Sequence, residues 1–115
     1  MAETEKKQYD LEQRTLIFAK NVRVFVKNLH KNVANIEDSR QLIRSSGSIG
    51  ANYIEANDNL SKKDFVMRIK ICRKEAKETA YWLKLIETDN FDRENLINEA
   101  TELTKIFGAI IRNSK

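Results

Sequence analysis

The stretch LIRSSGSIGANYIEA, residues 42–56, decides the fold of this chain, because Leu42, Ile49, Tyr53 and Ala56 recur at helical spacing around a middle built from small residues. Ser46, Gly47 and Gly50 all lower helix propensity, each glycine by roughly 1 kcal/mol against alanine, so a tertiary contact must offset the loss. Close approach of a neighbouring helix is the expected compensation. Helix 3 is the expected neighbour.

Outward from this stretch the same rhythm predicts a helix over about residues 36–57, with Ser39, Leu42, Ser46, Ile49, Tyr53, Ala56 and Leu60 on its buried stripe. Ile43, Gly50 and Ile54 widen that stripe. Upstream, Asp10 and Gln13 form a potential capping box after a frayed start over residues 1–9. Leu11, Thr15, Phe18, Val22, Phe25 and Leu29 then mark a first helix ending near His30. The Asn32 and Asn35 region supplies a turn and a cap. Downstream, the chain turns near Asn59, and Ser61 with Asp64 reads as the cap and N3 acid of a third helix carrying Phe65, Ile69, Cys72, Ala76, Thr79, Leu83 and Ile86. Thr88, Asp89 and Asn90 break the pattern. Asp92 is the expected cap of a fourth helix, Phe91 is expected to staple onto Leu96, and Leu96, Ala100, Leu103, Phe107 and Ile110 form its stripe. Short connections make successive helices antiparallel, so the expectation is one all-α domain over residues 1–115, an up-down-up-down four-helix bundle.

Composition agrees with that class and narrows the function. The 115 residues contain no proline and three glycines, and a third of them are charged. No apolar stretch approaches the ~20 residues of a membrane span, and the polar start has no signal-peptide core, so a cytoplasmic protein is expected. The single cysteine, Cys72, excludes an internal disulfide framework and fits a reducing compartment. It falls on the core stripe of helix 3, where a thiol is inert. With one cysteine and one histidine, neither zinc nor a di-iron carboxylate site is expected, and His30 falls at a helix end. No cofactor is implied. Ser45, Ser46 and Ser48 have no candidate base nearby in sequence, and no acid and base pair is legible, so an enzyme is not expected.

Antiparallel packing of helices 2 and 3 around the turn gives facing residues whose numbers sum to about 121. That register sets Arg44 near Glu78 and Glu55 near Arg68 as structural ion pairs. The net charge of +4 is unevenly placed, since residues 61–88 hold eight Lys/Arg against four Asp/Glu. Lys63, Lys70, Lys77 and Lys84 recur every seven residues, with Arg73 and Lys74 beside them, which places all six on one helix face. Two readings of this face stand open. It contacts RNA or DNA phosphates without sequence readout, or it is a solvated face that keeps the protein soluble. No aromatic residue is read as interleaving these lysines for base stacking, and Tyr53, Tyr81 and Trp82 are read as packing anchors. Lys20, Arg23 and Lys27 form a smaller basic patch. Ile17, Val24 and Val26 give helix 1 a second apolar side, expected to make subunit contacts.

Residues 42–56 and the run RKEAKETAYWLKLI, residues 73–86, resemble the four-helix-bundle proteins encoded in bacterial 23S rRNA intervening sequences. The likeness extends from about Tyr9 into helix 4. It implies a small bundle that assembles into a homo-oligomer, a ring-like pentamer, as in the related accessory variability determinants of diversity-generating retroelements. Those relatives engage nucleic acid and a reverse transcriptase through basic surfaces. The resemblance supplies no catalytic residues, and Arg44, Asn52 and Glu55 match its motif as fold or assembly residues. A structural or adaptor protein that binds a protein partner, through the Ile43, Gly50 and Ile54 side or through helix 1, is the alternative function.

Overall fold

Asn32 and Ser61 turn the polar breaks between apolar stripes into helix ends. Asn32 has extended backbone angles, and its side-chain oxygen accepts from the Asn35 amide at 2.8 Å, satisfying a donor that the first turn leaves free. Helix α2 follows over Val33–Ala56. The Ser61 hydroxyl accepts from the Asp64 amide at 3.2 Å and opens α3, Lys62–Leu85. The computed structural model describes residues 3–58 and 61–114, with side chains from Leu11 onward. The turn at Asn59 and the stripe position Leu60 therefore lie outside the described residues, as do Met1 and Ala2.

The outer helices differ from expectation at their ends. Helix α1 spans Glu3–Lys27, so Asp10 lies inside it and is not its N-cap. It stops before His30 because the Asn28 and Leu29 amides reach back three residues, to the Phe25 and Val26 carbonyls, which tightens and closes the last turn. Helix α4 spans Asp92–Asn113, but Asp92 does not cap it. Phe91 occupies the cap position without a side-chain cap bond, and just before it the Asn90 side-chain oxygen accepts from the Asp92 amide at 2.9 Å. Phe91 is 91% exposed and makes no staple on Leu96, since its own helical backbone angles turn the ring outward.

The stripes meet where their spacing places them. Phe18, Val22 and Phe25 of α1, Leu42 and Ile49 of α2, Ile69 and Leu83 of α3, and Leu103 and Phe107 of α4 are all buried in one core. Ile110 is only half-buried, at the open end of α4. Helices α2 and α3 pack most extensively, α3 and α4 nearly as much, and α1 rests on α2. The order is that of an up-down-up-down four-helix bundle. Contact between α1 and α4 is thin, and a bidentate fork spans it: Arg14 Nε and Nη2 donate to Glu99 Oε2 and Oε1 at 2.6 and 2.8 Å. At the far end, buried Asn35 donates to the His30 and Glu87 carbonyls and accepts from the Glu87 amide, tying both loops together.

The α2 and α3 register follows the expected sum. Thr79 Oγ1 donates to Ser45 Oγ at 2.9 Å and Cys72 Sγ to the Ile49 carbonyl at 3.5 Å. The glycines, however, face α1 rather than α3. A Cβ on Gly50 would stand 2.9 Å from Thr15 Oγ1 and 3.3 Å from Thr15 Cβ, whereas one on Gly47 would meet Arg23 Nη2 at 3.6 Å. Each residue turns the helix by about 100°, so once Ile49 points at α3, Gly50 cannot.

Burial pushes the Cys72 thiol from its ordinary 9.0 up to about 12. This raised value belongs to the folded state, so its stabilising contribution is complete below pH 9 and is lost as pH rises through 12. Thiol-specific reagents at pH 8 are accordingly expected to label Cys72 only at the rate of unfolding. Labelling as fast as a denatured control would contradict the packing around it.

Candidate nucleic-acid interface on the third helix

Helix α3 buries Ile69, Cys72, Ala76, Thr79 and Leu83 against α2 and α4, and this orientation fixes what its opposite face presents. Lys63, Lys70, Arg73, Lys74, Lys77 and Lys84 are all exposed there. At 3.6 residues per turn they fall within an arc about 100° wide, and from Lys63 to Lys84 the ridge extends about 32 Å. Among the described residues none of the six lies in an ion pair. The ridge is a row of basic groups outside every ion pair among the described residues.

Two of the three acids of α3, Glu75 and Glu78, are engaged on its flank instead. Arg44 of α2 reaches across to Glu78 at 3.3 Å, as the register predicts, and to Glu75 at 3.4 Å. Glu75 is the more deeply buried partner, and its Oε1 sits in ion-pair range of Arg44 without a hydrogen bond. The expected Glu55 and Arg68 pair does not form. Arg68 Nη1 donates to Asn52 Oδ1 at 2.9 Å, while Glu55 is exposed, because Asn52 lies about 60° nearer the α3 seam around the helix.

Two residues extend the site beyond the expected six. A Cβ on Gly108 would lie 3.7 Å from Arg73 Nε and 3.4 Å from Arg112 Nη1, so both guanidinium groups reach the glycine surface of α4. Arg112 thus widens the basic face. Its participation depends on how α4 docks and has no signal in sequence spacing. Tyr81 is the second. It is not a packing anchor: it is 57% exposed, four residues after Lys77 and three before Lys84, so it lies on the lysine face. The helical wheel already places it there. Attention to the seven-residue lysine repeat alone hides it.

An open depression beside the ridge is lined by Lys70, Arg73, Lys74, Lys77 and Glu78. Such a surface can hold phosphates by charge and hydrogen bonding, with no group placed to activate a nucleophile. Among the described residues there is no group of three His, Cys, Asp or Glu that could hold a metal ion, and no helix is long and apolar enough to cross a membrane.

Fold and surface together define a small all-α bundle with an extended basic face on α3. The chain belongs to the family of 23S rRNA-intervening sequence proteins, which it matches over residues 7–113. It is similar to a protein of unknown function from the S23 ribosomal protein family of Bacteroides thetaiotaomicron, known from a crystal structure. The two are 34% identical, with 92% of this chain and 98% of that one covered and a TM-score of 0.77. No curated protein matches the chain.

Proposed function

We propose that the protein is a non-enzymatic, self-associating helical module that holds the phosphate backbone of RNA or DNA on the α3 ridge. The observation that carries this is the row of six exposed basic groups, none of them in an ion pair among the described residues. Six basic groups outside every ion pair among the described residues, spread over about six helical turns, favour an anionic polymer over a solvated face, which would gain from paired acids. Self-association is supported by Leu16, Ile17 and Val24, each about half exposed along α1. Val26 is half-buried against the core and is not part of that surface. A pentamer and a reverse-transcriptase partner are extensions of the same proposal, suggested by the resemblance of residues 42–56 and 73–86.

Fluorescence anisotropy with labelled oligonucleotides tests the central claim. Six phosphate contacts on a single strand give a slope of log K against log salt of about −4, a several-hundredfold loss of affinity between about 50 and 200 mM salt. No binding at the lower salt rejects the proposal. One observation favours capture of a protein partner instead, a shallow apolar depression between α1 and α2 that includes Val26, Leu29, Ile36 and Ile43. Gly50 cannot contribute to such a surface, because Thr15 covers it. Partner capture would be insensitive to salt.

A further inference from the structure

We propose that Tyr81 is a stacking platform for an unpaired nucleobase, which makes the α3 ridge selective for single-stranded RNA or DNA over duplex. This rests on the phosphate-binding role proposed for the lysines and adds to it the part that charge alone cannot supply.

The ring lies within the basic arc, at the same angular position on the helix as Lys63 and within about 20° of Lys70 and Lys74. It is 57% exposed, and Leu85, one turn further on, is 46% exposed beside it. A neighbouring ring braces it on one side. Trp82 meets Tyr81 edge-on, with ring centroids 5.1 Å apart and planes at 74°, and Trp82 itself packs against the hydrophobic core. A ring braced on one side loses less freedom when a base stacks on it than an unsupported one does. The nearest acid on the flank, Glu78, is paired with Arg44 and so adds little repulsion toward a phosphate at Lys77.

Duplex DNA cannot use this platform. Bases within a duplex must be unstacked to reach an exposed ring. The alternative, insertion of α3 into a major groove about 12 Å wide, is hindered by α2 and α4, which both pack on it at the roughly 8–10 Å spacing usual for helices. A duplex therefore meets the ridge through phosphates only, whereas a single strand offers phosphates to the lysines and a base to Tyr81.

The test compares the wild-type chain with Tyr81→Ala and Tyr81→Phe, using labelled 12-nucleotide RNA and DNA single strands, a 12-base-pair duplex, and inorganic polyphosphate as a competitor carrying charge without bases. Tyr81→Ala is expected to lose roughly five- to hundredfold in affinity for the single strands. Its duplex binding, polyphosphate competition and salt slope should stay unchanged, because no phosphate contact is removed. Tyr81→Phe should bind as the wild type does, and the RNA and DNA arms show which strand is preferred. Single-strand affinity that survives Tyr81→Ala overturns the stacking role and leaves the phosphate-binding role standing. Absence of any oligonucleotide binding overturns both. A changed native mass of Tyr81→Ala by light scattering, with single-strand affinity intact, assigns the ring to a contact between copies and overturns the proposal. Circular dichroism controls for folding, and the exposed position predicts no change.

Discussion

Gly50→Leu is expected to lower the melting temperature by roughly 10–20 °C, from a loss of about 3 kcal/mol in a domain of this size. The physical basis is the approach of α1 to α2. The Cβ alone would stand 2.9 Å from Thr15 Oγ1 and 3.3 Å from Thr15 Cβ, with the Thr15 carbonyl carbon at 3.8 Å. Thr15 cannot simply turn away, since its hydroxyl donates to the Leu11 and Glu12 carbonyls and the residue is 2% exposed. A leucine adds three further carbons to a space that does not hold the first. Overpacking of this kind costs about 1–3 kcal/mol where neighbours can yield. Here the helix itself must move, which also exposes part of the Phe18, Val22 and Phe25 stripe at about 1.5–3 kcal/mol for each side chain lost from the core. The roughly 1 kcal/mol gained by removing a helical glycine does not offset that sum. Gly47→Ala separates the two effects, because its Cβ meets only the tip of Arg23, at 3.6 Å. It should stabilise by up to about 1 kcal/mol. Thermal melts that rank Gly50→Leu at or above the wild type would show that α1 does not pack as described.

Stripes, caps and register were legible because each depends on few residues. The alternating spacing of Phe18, Val22 and Phe25 needs only the helical period, Asn32 and Ser61 act within one turn, and a short connection fixes which α2 and α3 residues face each other. The role of Gly50 was legible only in part. Its composition announces a close approach, but which helix approaches depends on how α2 is rotated within the bundle, and Ile49 had already claimed the α3 side. The Arg14 and Glu99 fork joins residues 85 apart in sequence and depends on how the bundle closes. Phe91 misled because a staple residue precedes the cap, and Phe91 is itself the cap residue, with its ring exposed. Of the candidate interface, the six basic residues were legible from spacing. Arg112 was not, because it belongs to another helix. Tyr81 lay within the same periodic signal and needed only to be weighed by its angle on the wheel.

The double reversal Lys70→Glu with Lys77→Glu should abolish oligonucleotide binding while leaving the bundle at least as stable as before. Both side chains are exposed and lie outside every ion pair among the described residues, so their removal sacrifices no packing. The new carboxylates would lie three and four residues from Arg73 and Lys74, at spacings that form intrahelical pairs worth about 0.2–0.5 kcal/mol each. Those pairs carry the functional effect as well. Two phosphate contacts disappear, two more are neutralised by the introduced acids, and the slope of log K against log salt should shrink from about −4 to about −1. Affinity near physiological salt should fall roughly a thousandfold, which takes a nonspecific interaction of about 10⁻⁴–10⁻⁶ M beyond measurement. The change removes the whole net charge of +4, so bulk charge must be separated from position. Lys20→Glu with Lys27→Glu alters the total equally but on α1, away from the ridge, and should weaken binding no more than about tenfold at the same salt. Equal losses in the two double variants would mean that the protein attracts nucleic acid only as a diffuse cation. Unchanged affinity in the α3 variant would mean that the ridge is not where phosphates bind.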